Sequence, residues 1–141
     1  MGLHFAHATG YVKLLDITQA HAERLTDWLL GQDDDTVLLL VAEDRGGDLV
    51  GMLALVAVPH LLTGERYADE LLWWTEPSHR GFGRLGPALL DRAIEWAKAH
   101  ELVLLKMIAP AGTEIGRWYL KHGFTEVETA YVVKLDHGPR E

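Results

Sequence analysis

The chain has 141 residues, of which 48% are hydrophobic and 24% charged, a balance that suits one globular domain with a sizeable core. Its formal charge of −8 argues against general nucleic-acid binding and is compatible with a cationic substrate, and the absence of cysteine excludes disulfides, thiolate metal sites and a thiol nucleophile. No apolar run reaches membrane-spanning length and the eight histidines form no HxxxH or HExxH pair, so no membrane partner and no metal are expected, and a cytoplasmic protein is.

Residues 1–10 carry little periodic signal and are expected to be a loose leader, followed by a short strand over residues 11–16. Thr18 then caps a helix in which Ala22, Leu25, Trp28 and Leu29 recur at helical spacing, ended by Gly31 and the acidic run of residues 33–35. Residues 36–43 and 48–58 read as an antiparallel hairpin, because the intervening Asp44-Arg45-Gly46-Gly47 supplies the positive backbone angles of a tight turn. After an irregular loop over residues 59–67, the segment DELLWWTE, residues 69–76, reads as a strand whose alternation sends Trp73 and Trp74 to opposite faces.

Residues 77–90, PSHRGFGRLGPALL, are the most informative stretch. Gly81, Gly83 and Gly86 permit close backbone approach to a ligand, and the helix that follows offers unpaired amides and the positive end of its dipole. Pro87 falls in the first turn, where its missing N–H costs nothing, while Arg80 and Arg84 can add charge-assisted contacts, so the loop suits a pyrophosphate. The glycines fit the GxGxxG spacing of a dinucleotide fold, but the next strand, residues 102–108, ends in Ala109-Pro110 without the acidic residue that fold uses, and no Gly-Lys-Ser/Thr of a Walker loop follows.

The helix over residues 87–100 carries Leu89, Leu90, Ala93, Ile94 and Ala97 on one face, and strand–helix–strand makes a parallel crossover. A second short helix, residues 113–122, stops at Gly123; residues 124–135 supply one or two more strands, and residues 136–141 a frayed tail. The expected fold is α/β, a central mixed sheet of six to seven strands with helices on both faces.

Two motifs, Glu76-Pro77-Ser78-His79-Arg80-Gly81-Phe82-Gly83 and Trp118-Tyr119-Leu120-Lys121-His122-Gly123-Phe124, give the chain its family likeness. In their order, with the intervening helix and strand and the preceding hairpin, the chain resembles the GNAT superfamily of acyl-CoA-dependent N-acyltransferases over residues 11–135, and the wording of residues 70–74 looks like a compact, phage-type subgroup. Two departures stand out: the third glycine of the loop comes one place late, at Gly86, and Gly112 replaces a frequent family asparagine ahead of the second motif.

The resemblance implies one acetyltransferase domain over residues 1–141 and a transfer from acetyl-CoA to a primary amine of a small molecule or protein by direct attack. It implies that the backbone of Trp73, Trp74 and Thr75 pairs with the pantetheine arm, that an amide of that strand polarises the thioester carbonyl, and that Arg80, Gly81, Phe82, Gly83, Arg84, Leu85 and Gly86 hold the pyrophosphate. Tyr119 is the candidate general acid for the departing thiolate and Glu70 the candidate base, with Asp69 and His122 as weaker substitutes. A core tyrosine with a satisfied hydroxyl and a solvated or salt-bridged glutamate are the bland alternatives, and a homodimer is in keeping with the family. A non-catalytic acyl-CoA-binding or regulatory module, or a partner-binding protein on the same scaffold, is the competing function.

Overall fold

The computed structural model describes residues 10–80 and 84–138. Residues 1–9 of the expected leader, residues 139–141 of the expected tail, and Gly81, Phe82 and Gly83 lie outside the described residues. The first α-helix among the described residues, α1 (Gln19–Leu30), starts where its capping chemistry dictates: Thr18 Oγ1 accepts from the His21 amide at 3.3 Å while the Thr18 amide donates to His21 Nδ1 at 3.1 Å. Thr18→Ala should therefore cost about 1 kcal/mol of stability, read as a lower urea midpoint at unchanged slope.

Four strands form one sheet in the order β1 (Val37–Glu43), β2 (Leu49–Pro59), β3 (Arg66–Thr75) and β4 (Leu105–Lys106). The β1–β2 hairpin is as expected: Gly47 has φ of +86°, and the Asp44 carboxylate accepts from the amides of Gly46 and Asp48 across the turn. Strand β2 is the middle of the molecule, paired antiparallel to β1 on one side and β3 on the other. Its nearly unbroken apolar sequence follows from burial of both its faces, and Leu53, Ala54 and Leu55 are wholly inaccessible. Each such leucine contributes about 1.5–3 kcal/mol relative to an exposed one.

Alternation along β2 sorts the helices. Leu53 and Leu55 pack with Leu89, Leu90, Ala93 and Ala97 of α2 (Leu85–Ala99), whereas Met52 and Ala54 pack with Leu29 of α1 and with Leu72. Gly51 lets α2 lie close to the sheet, since a Cβ there would come within 3.2 Å of the Leu85 and Leu89 side chains. Trp118 of α3 (Ile115–Lys121) packs against the same cluster as α2, so α2 and α3 cover one face and α1 the other. This is the mixed α/β architecture the sequence indicates.

The crossover through α2 brings β4 parallel to β3, with Ala68 opposite Leu105 and Asp69 opposite Lys106. Further bonds run from the Val103 amide to the Arg66 carbonyl and from the Ala68 amide to the Leu104 carbonyl.

Three elements differ from expectation. Residues 11–16 are not a strand: a 3-10 turn, Gly10–Lys13, takes their place, and the amides of Leu14 and Leu15 both donate to the Tyr11 carbonyl, a local bond that removes these groups from any ladder. The strand expected over residues 102–108 is regular only at Leu105–Lys106, and past its end the Ile108 amide bonds the Glu70 side chain rather than a strand carbonyl. Residues 124–138 form no strand among the described residues; their alternating apolar positions supply a strand face, but ladder bonds need a partner edge, and Val127, Tyr131 and Val133 are left exposed. The sheet thus has four strands among the described residues, where six to seven are expected.

Candidate active site

The ladder between β3 and β4 ends at Asp69–Lys106, and beyond it the two segments part into a cleft lined by Glu70, Trp73, Gly86, Ile108 and Tyr119. Register along β3 decides what points there. The β2–β3 pairing shifts between Ala54 and Leu55, so that Ala54 faces Leu72 and Leu55 faces Glu70 while Leu71 has no opposite number. That bulge interrupts the alternation: Glu70 and Trp73 share the face covered by α2 and α3, whereas Leu72 and Trp74 share the face of α1. Both tryptophans are half-buried, one on each side of the sheet, with Trp73 on the side of Tyr119.

Glu70 and Tyr119 meet at one residue. The Ile108 amide donates to Glu70 Oε2 at 3.1 Å, and the Tyr119 hydroxyl donates to the Ile108 carbonyl at 3.0 Å. Burial pushes the Glu70 carboxyl up to about 8; the Ile108 N–H opposes this shift and the neighbouring Asp69 charge adds to it. Burial also drives the Tyr119 phenol far above its ordinary value, with the Glu70 carboxylate as a second cause. A carboxyl raised by burial into the neutral range, beside a phenol raised by burial and by that carboxylate's charge, marks this cleft as a candidate site of acid–base chemistry.

Tyr119 is held by its surroundings. Its ring lies 6.1 Å from Trp73, 5.9 Å from Trp118 and 5.1 Å from Phe124, and Gly123, with φ of +87°, turns the chain so that the Phe124 amide reaches the Tyr119 carbonyl. The two weaker substitutes stand elsewhere. Asp69 is on the opposite face of β3 from Glu70, beside Tyr67, and His122 is stacked on Trp118 at 3.9 Å with its Nδ1 on the Trp118 carbonyl at 2.7 Å.

Of the residues expected at the pyrophosphate, Leu85 and Gly86 open the 15-residue helix α2 and Arg84 is its N-cap, so the positive end of the helix lies beside the end of β3. Gly86 packs against Trp73 and Thr75: a Cβ built on it would lie 3.5 Å from Trp73 Cζ2 and 3.7 Å from Thr75 Oγ1. Arg80 turns back on the strand, its Nε donating to the Thr75 carbonyl at 2.7 Å and its guanidinium 4.3 Å above the Trp74 ring. The carbonyl of Thr75 is thus already engaged, while Trp73 and Trp74 lie on the stretch of β3 beyond the β4 ladder.

Sequence reasoning missed Ile108, whose peptide groups join the two candidate catalytic side chains, and the bulge at Leu71. The Ala109-Pro110 pair was a signal for the first, since proline ends the strand just after it; the second depends on cross-strand register and has no local signature. Among the described residues no group of three or more His, Asp or Glu side chains converges as a metal site would, and no helix is long and apolar enough to cross a membrane.

A profile of the acetyltransferase (GNAT) family matches residues 9–124. No curated protein matches in sequence. Among solved structures, the chain is similar to a ribosomal-protein-alanine N-acetyltransferase of Brucella melitensis, with 23% identity over 97% of this chain and 96% of that one and a TM-score of 0.63. It is similar also to an aminoglycoside 6'-N-acetyltransferase of Acinetobacter haemolyticus, with 20% identity, 96% and 91% coverage and a TM-score of 0.68. A transcriptional regulator of Bacillus halodurans matches with 24% identity, 82% and 76% coverage and a TM-score of 0.70. At these identities the structures show a shared fold, and the profile, matched over most of the chain and agreeing with that fold and with the opened β3–β4 cleft, shows that the chain belongs to the GNAT acetyltransferase family.

Proposed function

We propose that this acetyltransferase moves the acetyl group of acetyl-CoA to a primary amine, of a small molecule or of a protein, by direct attack of the amine on the thioester. The observation that carries this reading is the convergence of Glu70 and Tyr119 on the amide and carbonyl of Ile108, inside the cleft where β4 leaves β3. The chain's residues fit such a co-substrate. Strand β3 has no β4 partner beyond Asp69, which suits an extended arm lying along it, and the α2 N-terminus, with Arg84 at its cap, suits a diphosphate, toward which Arg80 would turn from its contacts with Thr75 and Trp74. Acetyl-CoA supplies an acyl carbon activated by a thiol leaving group.

The residues then divide the work. Glu70, ionised, takes a proton from the incoming ammonium, directly or through a water. The β3 backbone at the Leu71 bulge offers an amide outside the regular pairing to polarise the acyl oxygen. Tyr119 holds its proton toward Ile108 and lends it to the departing sulfur. The order is physically sensible: once Glu70 is protonated, its charge no longer raises Tyr119, and the phenol becomes the better acid at the step that needs one.

Incubation with acetyl-CoA and a panel of amines, with free thiol as the readout, tests the reading. Amine-dependent thiol release with acetylated product is expected; binding of CoA without amine-dependent release would make the chain a binding module instead. Arg80→Ala should weaken CoA binding about tenfold, the scale of one charge-assisted contact, as measured by calorimetry. Equal affinity of variant and parent would remove Arg80 from the diphosphate.

A further inference from the structure

Trp73 carries a buried indole N–H with no hydrogen-bond partner among the described residues. Such a donor is uncommon in a folded protein, because its desolvation is uncompensated. Phenylalanine would fill the same place between Trp118, 6.0 Å away, and Tyr119 without that cost. The position of the nitrogen is informative. Cζ2, on the same ring edge as the N–H, is the atom nearest a Cβ built on Gly86, so that edge faces the first turn of α2. There the unpaired helix amides and the dipole favour a negatively charged oxygen.

We infer that the Trp73 indole N–H is a positioning donor for a phosphate oxygen of the acyl-CoA diphosphate, acting together with the amides at the start of α2. This rests on the acetyl-CoA reading above and assigns the ring of Trp73 a role beyond its strand backbone. The contact explains why a nitrogen-bearing ring stands where packing alone asks for an aromatic hydrocarbon. It also links cofactor capture to catalysis, because the ring that grips the diphosphate is the one against which Tyr119 is packed.

The test compares the parent with Trp73→Phe by calorimetry, using CoA and ADP as ligands, and by thermal unfolding without ligand. The variant is expected to lose about tenfold in affinity for both ligands, the scale of a hydrogen bond to a charged group, with an unliganded Tm equal to the parent's or higher. In the parent, the Trp73 indole 1H–15N resonance should move downfield when ADP is added, a readout that stands even if the variant does not fold. Affinities within twofold of the parent's, a lowered Tm with unchanged affinity, loss for CoA but not for ADP, or an unmoved indole resonance would each overturn the inference. Failure of the parent itself to bind CoA would instead defeat the underlying acetyl-CoA reading.

Discussion

Tyr119→Phe is expected to lower kcat by at least about tenfold while leaving the affinity for CoA within twofold of the parent's. The substitution keeps the ring and therefore its contacts with Trp73, Trp118 and Phe124, and removes only the hydroxyl that donates to the Ile108 carbonyl. Losing that bond costs about 1 kcal/mol of stability, too little to unfold a typical domain, so the kinetic effect is separable from a folding defect. The pH profile adds a second check. Because burial and the Glu70 charge hold the phenol well above its ordinary range, the parent's rate should show no alkaline fall from Tyr119 up to pH ~10, the ordinary tyrosine value. An unchanged kcat in the variant across that range would take Tyr119 out of the mechanism.

Glu70→Gln should have the larger effect, a loss of about two orders of magnitude or more in kcat/KM, with disappearance of the acid limb of the profile. A base must be ionised to act. With the carboxyl raised to about 8, the parent's rate should climb with pH to that value and then level off. Glutamine still accepts from the Ile108 amide, so the cleft keeps its geometry. The same shift sets a thermodynamic expectation with a definite sign. The folded protein holds the Glu70 proton more tightly than the unfolded chain, whose value is near 4.5, so this group's contribution to stability is complete below about 4.5 and is lost as pH rises through about 8. The glutamine variant undergoes no such loss. Its Tm relative to the parent should therefore rise between pH 5 and pH 9, and a constant difference would contradict the assignment of Glu70 as the raised carboxyl.

The elements legible in the sequence were those whose signals are local. The Thr18 cap, the Asp44–Gly47 turn and the apolar face of α2 each involve residues a few positions apart, and each produced the structure that its spacing indicates. The same holds for Gly123 at the end of α3 and for the parallel crossover, which follows from strand, helix and strand in succession. Glu70 and Tyr119 were legible only as candidates by family resemblance, since 49 positions of chain separate them and no periodicity joins them.

Residues 11–16 and 124–135 show why the remainder was not legible. Apolar alternation marks a segment able to pair, but ladder bonds require an edge supplied by a distant part of the chain; at residues 10–15 a local turn takes the amides, and at residues 124–138 no ladder forms. The site obeys the same distinction. From composition, caps and turn residues alone came the helices, the hairpin and an Arg- and Gly-rich loop opening a helix. The register slip at Leu71 put Glu70 on the same face as Trp73, and Glu70 ended the β3–β4 ladder by taking the Ile108 amide, the residue whose carbonyl accepts from Tyr119. Those outcomes belong to the tertiary structure, because a strand's facing and a carboxyl's burial are properties of what lies across from it.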